Sequence, residues 1–408
     1  MEFGINKTNL NKYLTSIVSS LDITESMYKS LEQSYKAVGE YLSGDEILSS
    51  HNVEIHPQGS LLLGTAIRPI SDDGDVDIDL VCEIRRKEPA WTQKFYKNMV
   101  GNRLKDSKTY EPMLEPEGRR CWTIDYRRHS ENPQDRYHLD VLPAVYNHGM
   151  SLHQTLNTYA SLRGRDLWDK LSMRLTDTKT PGYTTDTELI KWQKTNPFGY
   201  AIWFEERCKT SIGTEGVIMM RSKVSPMRPY SNEKLPLQRV VQLLKRHRDI
   251  KFGEDEDRPI SIIITTLAAY AYNGETDIAT ALQHVVGNIE FNLKRDASGH
   301  YLVQNPVNPE ENFADKWPEH PEREKKFLNW LRQLKDDVEY LYNSSTSRTQ
   351  MFQKLKSSFG DNIVNDIIAR EAEETKTASD NGTLKMTTTG VLGTAGSITA
   401  KTNTFYGR

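Results

Sequence analysis

Cysteine is scarce in this 408-residue chain: only Cys82, Cys121 and Cys208 occur, widely spaced. An odd number without a Cys-x-x-Cys pair indicates neither a disulfide framework nor a structural zinc site. Cys82 reads as a small buried apolar residue. No apolar run approaches the roughly 20 residues of a membrane-spanning helix. The opening Met1-Glu2-Phe3-Gly4 has no signal-peptide core, so a reducing cytoplasm is expected. A basic excess is also missing. Lys and Arg number 53 against 56 Asp and Glu, a formal charge of −3, whereas a duplex-DNA binder usually carries a basic stripe. Activation by DNA is therefore not expected. Basic groups are local instead: Arg85-Arg86-Lys87, Arg119-Arg120, Arg127-Arg128 and Lys245-Arg246-His247-Arg248. The first reads as a solvated face, and the later runs as help in holding triphosphates. No internal repeat is evident.

What the chain does contain is a Gly-Ser turn placed shortly before paired acids. Gly59-Ser60-Leu61-Leu62-Leu63-Gly64-Thr65 precedes Asp75-Val76-Asp77-Ile78-Asp79-Leu80. On a strand, residues two apart share a face, so Asp77 and Asp79 point one way while Val76, Ile78 and Leu80 point into a core. Two parallel carboxylates on a rigid strand suit hard divalent cations such as Mg²⁺. The turn offers backbone N–H groups and a hydroxyl to phosphate oxygens. A third acid lies in the apolar strand His138-Leu139-Asp140-Val141-Leu142-Pro143. Two-metal phosphoryl chemistry draws acids from neighbouring strands, because the ions sit about 3.5–4 Å apart. One ion lowers the pKa of an attacking hydroxyl, and the other holds the triphosphate and the leaving pyrophosphate. Each segment alone is an ordinary turn or strand. The three in this order point to nucleotidyl transfer.

The remaining pattern is read coarsely. Leu10, Tyr13, Leu14, Ile17 and Leu21 have helical spacing within residues 8–42. Residues 84–135 are polar, with strand character near Trp122-Thr123-Ile124-Asp125-Tyr126, and 150–232 are rich in turn and charged residues. Pro236 opens a helix on which Leu237, Val240, Val241 and Leu244 form one apolar stripe bordered by Lys245. By pattern alone Lys245 is a snorkelling surface lysine. Ser261 begins the next apolar helix as an N-cap, where its hydroxyl and the positive helix end could also face phosphate. Residues 322–345 and 348–372 look helical. The Thr/Gly-rich 373–408 cannot bury enough surface to offset its ordering entropy and is expected to be a flexible tail. The expected division is therefore a core over 1–235 with N-terminal helices, a helical lobe over 236–372 and the tail.

The motifs resemble those of the polymerase-β-type nucleotidyltransferases. Within these, the chain is similar to the oligoadenylate-synthetase and cGAS-like branch, whose bacterial members are the DncV-like CD-NTases of CBASS anti-phage systems. Carrying the resemblance, besides the turn and acids, are Ile67-Arg68-Pro69, Leu237 to His247, Pro259-Ile260-Ser261-Ile262-Ile263 and Pro306-Val307-Asn308-Pro309-Glu310-Glu311-Asn312. It spans most of residues 10–320. It implies an α/β (α+β) fold: a polymerase-β-like nucleotidyltransferase core with a mixed sheet, plus a C-terminal helical lobe. It assigns Asp77, Asp79 and Asp140 to two Mg²⁺ ions (Mn²⁺ as a substitute), and Gly59, Ser60, Lys245 and Ser261 to the donor triphosphate. The implied activity joins ATP, GTP or other nucleoside triphosphates into a cyclic di- or trinucleotide, a second messenger that reaches a downstream effector in phage defence. A clade D likeness suggests an adenine-rich trinucleotide containing guanine. The zinc-binding insertion that cGAS uses for DNA has no counterpart. An E1/E2-like ligase is an expected partner for the C-terminus, with Gly407 as the conjugation handle, although Arg408 follows it here. Two other readings stand beside this one: a nucleotidyltransferase making linear oligoadenylate or modifying RNA ends or a small molecule, and a catalytically silent nucleotide sensor.

Overall fold

A computed structural model describes residues 7–70, 76–126, 136–147, 165–209, 224–343, 345–386, 392–393 and 398–399. Three helices come first: α1 (Lys7–Leu21), α2 (Glu25–Ser43) and α3 (Glu46–Ser50). Thr24 sets the start of α2, its side chain accepting from Met27 N–H. Then follow β1 (Glu54–Gln58), α4 (Gly59–Leu63), β2 (Val76–Ile84), α5 (Gln93–Lys105), β3 (Trp122–Tyr126) and β4 (Tyr137–Tyr146). After α6 (Arg165–Lys170), β5 (Met173–Leu175), β6 (Gln193–Thr195) and α7 (Pro197–Cys208), the chain turns helical. It forms α8 (Pro236–Phe252), α9 (Ser261–Ala271), α10 (Ile278–Asn288), α11 (Pro321–Tyr342), α12 (Arg348–Phe359) and α13 (Asp361–Asp380). Among the described residues no helix is long and apolar enough to cross a membrane.

The sheet runs β1-β2-β4-β5-β6, with β3 also paired to β4. It is mixed, as expected: β2 and β4 are parallel and the other pairs antiparallel. Alternation along β2 decides what each face does. Val76, Ile78, Leu80, Cys82 and Ile84 enter a core built with α2 and α5. On the opposite face Asp77 is exposed and Asp79 half-buried, while Val81 on the same face packs into the core of the helical lobe. On β4, Leu139 and Val141 face the α2–α5 side, and Ala144 and Tyr146 face the helices. The acids therefore occupy the end of the sheet face that the helical lobe begins to cover.

The packing does not follow the division expected at residue 235. Helix α1 belongs to the helical lobe: Leu10, Tyr13, Leu14, Ile17, Val18 and Leu21 are buried with residues of α8 to α13. Tyr13 stacks edge-on against Phe352 at 4.8 Å and donates to Glu371, and Asn11 accepts from the Ala279 N–H. Periodicity identified the apolar face of α1 but not what would cover it. The segment expected to be a tail from 373 also starts as helix. α13 continues to Asp380 with Ala378 buried, and Lys385–Met386 pairs with Leu392–Gly393 and Ile398–Thr399. Strand pairing satisfies backbone groups without a large apolar core, so low hydrophobicity did not exclude it. Gly407 lies outside the described residues, as do Asp75, Arg127 and Arg128.

Candidate active site

Antiparallel pairing of β1 with β2 puts Gln58 opposite Asp79, so the next residue, Gly59, enters α4 directly over that acid. Gly59 has φ +66°, and a Cβ built there would lie 1.9 Å from Asp79 Oδ2. Glycine is thus required twice, by backbone conformation and by the neighbouring carboxylate. Gly64 ends α4 in the left-handed region at φ +69°, and its Cβ would fall 2.5 Å from Gln238 Nε2. Thr65 N–H closes the turn on Ser60 O at 2.9 Å. The two glycines of the motif answer different neighbours, one in the sheet and one in the helical lobe.

The parallel register sets Asp79 beside Asp140 and Asp77 beside His138. Burial first, then the charges of Asp77 and Asp140, push the Asp79 carboxyl up to about 7, with Lys245 opposing. Sequence reasoning missed Thr123. It is the β3 partner of Asp140, and its hydroxyl donates to Asp140 Oδ1. Alternation in Trp122-Thr123-Ile124 marked it as facing away from Trp122, but only the pairing of β3 with β4 gave it an acid to orient. Near it, burial and Asp140 push the Cys121 thiol up to about 11, which suits an inert thiol rather than a nucleophile.

Lys245 is not a surface lysine. Helix α8 is buried continuously from Leu237 to Arg248, polar residues included, and Lys245 is 5% exposed. Its Nζ donates to Thr65 O at 3.0 Å and to Thr65 Oγ1 at 3.3 Å. Burial, then the adjacent Arg248, bring its pKa down to about 8, while Asp249, Asp79 and Asp77 pull the other way. Ser261 is the first residue of α9, not its N-cap, which is Ile260. The Ser261 hydroxyl accepts from Arg248 Nη1 at 2.7 Å, and the same nitrogen reaches Pro259 O. Arg248 thereby joins Ser261 to the Lys245 neighbourhood. The structure brings Gly59, Asp79, Asp77, Asp140 and Lys245 together; Ser261 is linked to them through Arg248. Arg119 and Arg120 are occupied elsewhere, both donating to the buried Asp177 at 2.7 and 2.9 Å.

Residues 9–161 match the family model of the Second Messenger Oligonucleotide or Dinucleotide Synthetase domain. That span holds the turn and all three acids. Across its length the chain is 28% identical to the c-di-GMP synthase of Roseivirga ehrenbergii, covering 98% of both proteins. Both matches support a likeness to the CD-NTases. The chain is also 21% identical to the cyclic dinucleotide synthase CdnG of Bradyrhizobium diazoefficiens, over 87% of the chain and 81% of that protein. The fold is shared with the structure of the latter in complex with GTP, at a TM-score of 0.63 and 18% identity, covering 89% of this chain and 99% of that one. CdnC of E. coli MS115-1, in a complex with HORMA-deltaN, is similar at a TM-score of 0.55 and 14% identity, covering 88% and 98%.

The donor set fits a hard divalent cation in its chemistry: carboxylates only, on adjacent parallel strands, with a glycine leaving Asp79 Oδ2 uncovered. Burial and then repulsion from Asp77 and Asp140 raise the Asp79 pKa, and a bound cation would offset both. Among the described residues no three Asp, Glu, His or Cys side chains are already closed to metal-binding geometry.

Proposed function

We propose that this enzyme joins nucleoside triphosphates into a cyclic dinucleotide, with GTP as its main substrate, and that the product is a second messenger in defence against phage. The observation that carries the reading is the seating of Gly59 directly on Asp79, which sets a phosphate-binding turn against the acids. The guanine preference is supported by the relative that is a c-di-GMP synthase and by the complex of CdnG with GTP. Asp77, Asp79 and Asp140 would hold two Mg²⁺, which supply Lewis-acid stabilisation of phosphate charge and a more acidic acceptor hydroxyl. Gly59 and Ser60 would receive donor phosphate oxygens through backbone N–H and hydroxyl. Lys245 uses two of its donors on Thr65 and has a third for the triphosphate. Ser261 retains its own hydroxyl hydrogen for the same ligand while accepting from Arg248. An acceptor sugar hydroxyl would then form a new P–O bond at the α-phosphorus as pyrophosphate departs, and Asp140 would take the proton. A second round within the dinucleotide closes the ring.

The test is incubation of the purified protein and Mg²⁺ with labelled GTP, ATP, CTP and UTP, singly and together, followed by phosphatase. The expected product forms from GTP alone and resists phosphatase. A phosphatase-sensitive product overturns cyclisation, and a product that requires ATP or contains three nucleotides overturns the assigned composition.

Lys245→Ala isolates triphosphate binding. It removes a charge-assisted contact of about 1.5–3 kcal/mol, so apparent affinity for GTP should fall roughly tenfold to a hundredfold. Titration calorimetry with a non-hydrolysable GTP analogue measures this, and an unchanged affinity confines Lys245 to holding Thr65.

A further inference from the structure

Helix α8 holds the chain between the turn and β2 by a ladder of side-chain hydrogen bonds to successive backbone carbonyls. Gln238 Nε2 donates to Leu63 O at 2.9 Å, Lys245 Nζ to Thr65 O at 3.0 Å and Gln242 Nε2 to Ala66 O at 2.8 Å. Arg246 Nη2 continues the ladder to Arg68 O at 2.6 Å. These donors sit at i, i+4, i+7 and i+8, one face of the helix. The α1 end reinforces the same hold: Arg68 N–H donates to Leu21 O at 2.8 Å, and Asp22 accepts from Gln242 and Arg239.

Gln238 is the rung nearest the turn, and both the oxygen and the nitrogen of its amide are engaged. Oε1 accepts from Leu235 N–H at 2.9 Å, while Nε2 bonds the last carbonyl of α4. That amide occupies the space which the missing side chain of Gly64 leaves open. The sheet supplies the start of the turn, where Gly59 meets Asp79, and the helical lobe supplies its end.

We infer that Gln238 is a positioning residue for the donor triphosphate. It touches no nucleotide and acts through Leu63 and Gly64 to fix the curvature of α4, and with it the direction of the Gly59 and Ser60 donors. The inference rests on the reading of the Gly59–Ser60 turn as the triphosphate site. Turn shape bears on ground state and transition state alike, so its loss appears in binding and KM rather than in kcat.

The test uses the full-length enzyme. Gln238→Met keeps side-chain length and removes the amide. Its KM for GTP, and its Kd for a non-hydrolysable GTP analogue with Mg²⁺, should each rise about tenfold, with kcat within about twofold. A merely loosened fold does the opposite, lowering kcat per mole of protein at unchanged KM, and that result overturns the inference. A double-mutant cycle adds an independent reading. Gly64→Ala places a Cβ against the Gln238 amide, whereas Gly64→Ala with Gln238→Ala gives it room. The double variant should bind the analogue more tightly than the product of the two single effects; strict multiplicativity overturns the coupling. If the unaltered enzyme does not bind the analogue at all, the triphosphate reading itself fails. If the unaltered enzyme binds and Gln238→Met binds equally well, only the positioning role fails.

Discussion

Exchanging Asp77 and Asp79 together for asparagine should lower nucleotide joining about a thousandfold or more, with the fold intact. The exchange nearly preserves volume, and the strand stays paired with β1 on one side and β4 on the other. What disappears is negative charge at the positions proposed to hold the two cations. Removing it should also spare the cation-free protein a cost. The Asp79 carboxyl is pushed up to about 7 by burial, Asp77 and Asp140. A group whose folded pKa lies above its unfolded value of 3.8 weakens the fold progressively as pH rises through that interval. In chelator at pH 8, thermal unfolding of the double variant should therefore come at the same or a higher temperature than that of the parent. Quantified dinucleotide yield and calorimetry check both halves. Retained turnover with Mg²⁺ removes the assignment. Asp75→Asn is the companion measurement: if it is inactive while Asp79→Asn alone is active, the working pair is Asp75 and Asp77.

The second large effect is on stability and lies away from the chemistry. Asp337, on α11, is buried and accepts from His247 Nε2 at 3.1 Å and Lys354 Nζ at 2.6 Å, with Lys251 Nζ at 3.8 Å. Trp330 Nε1 donates to His247 Nδ1 at 3.0 Å. That bond places the imidazole hydrogen on Nε2 and leaves the ring neutral, in keeping with burial lowering its pKa. Burial alone would raise the Asp337 pKa; the His247 and Lys354 hydrogen bonds outweigh it and hold the carboxyl well below the ordinary carboxylate range. Asp337→Asn leaves Lys354 facing a neutral group and should cost about 3 kcal/mol at pH 7. Because the folded pKa is depressed, the contribution is complete above the unfolded value of 3.8 and is lost as pH falls below it toward the folded one. Urea unfolding should show the full gap between parent and variant at pH 7, and a narrowing gap below about pH 4. A gap independent of pH would mean that packing, not charge, is what Asp337 contributes.

The strands and their acids were legible because alternation is local. Val76, Ile78 and Leu80 announce which face of β2 is buried, and the structure keeps that assignment. Glycine was legible as a turn, though its two causes were not: Asp79 lies 20 residues after Gly59 in sequence, and Gln238 lies far beyond Gly64. The surroundings of Lys245 escaped for a related reason. Periodicity finds one apolar stripe on α8, yet the helix is buried all round because its polar side chains find backbone carbonyls on the 63–69 segment. A helix that satisfies its amides and cations through tertiary partners looks, in sequence, like one with a wet face. Thr123 was invisible in the same sense, since it matters only through the residue it faces.

The docking of α1 among the last helices has a consequence for biosynthesis. Its buried face, Leu10 to Leu21, finds α12 and α13 only after nearly the whole chain has been made. At about 5–20 residues per second that is tens of seconds during which the apolar face of this amphipathic helix waits for those two partners. The sheet domain is in effect an insertion between the first helix of the helical lobe and the rest of that lobe. A ribosome-bound chain should thus form the acid-bearing sheet first and pack α1 against α12 and α13 last. A message truncated before residue 361 would lack α13, and with it the Glu371 partner of Tyr13, leaving one side of α1 uncovered.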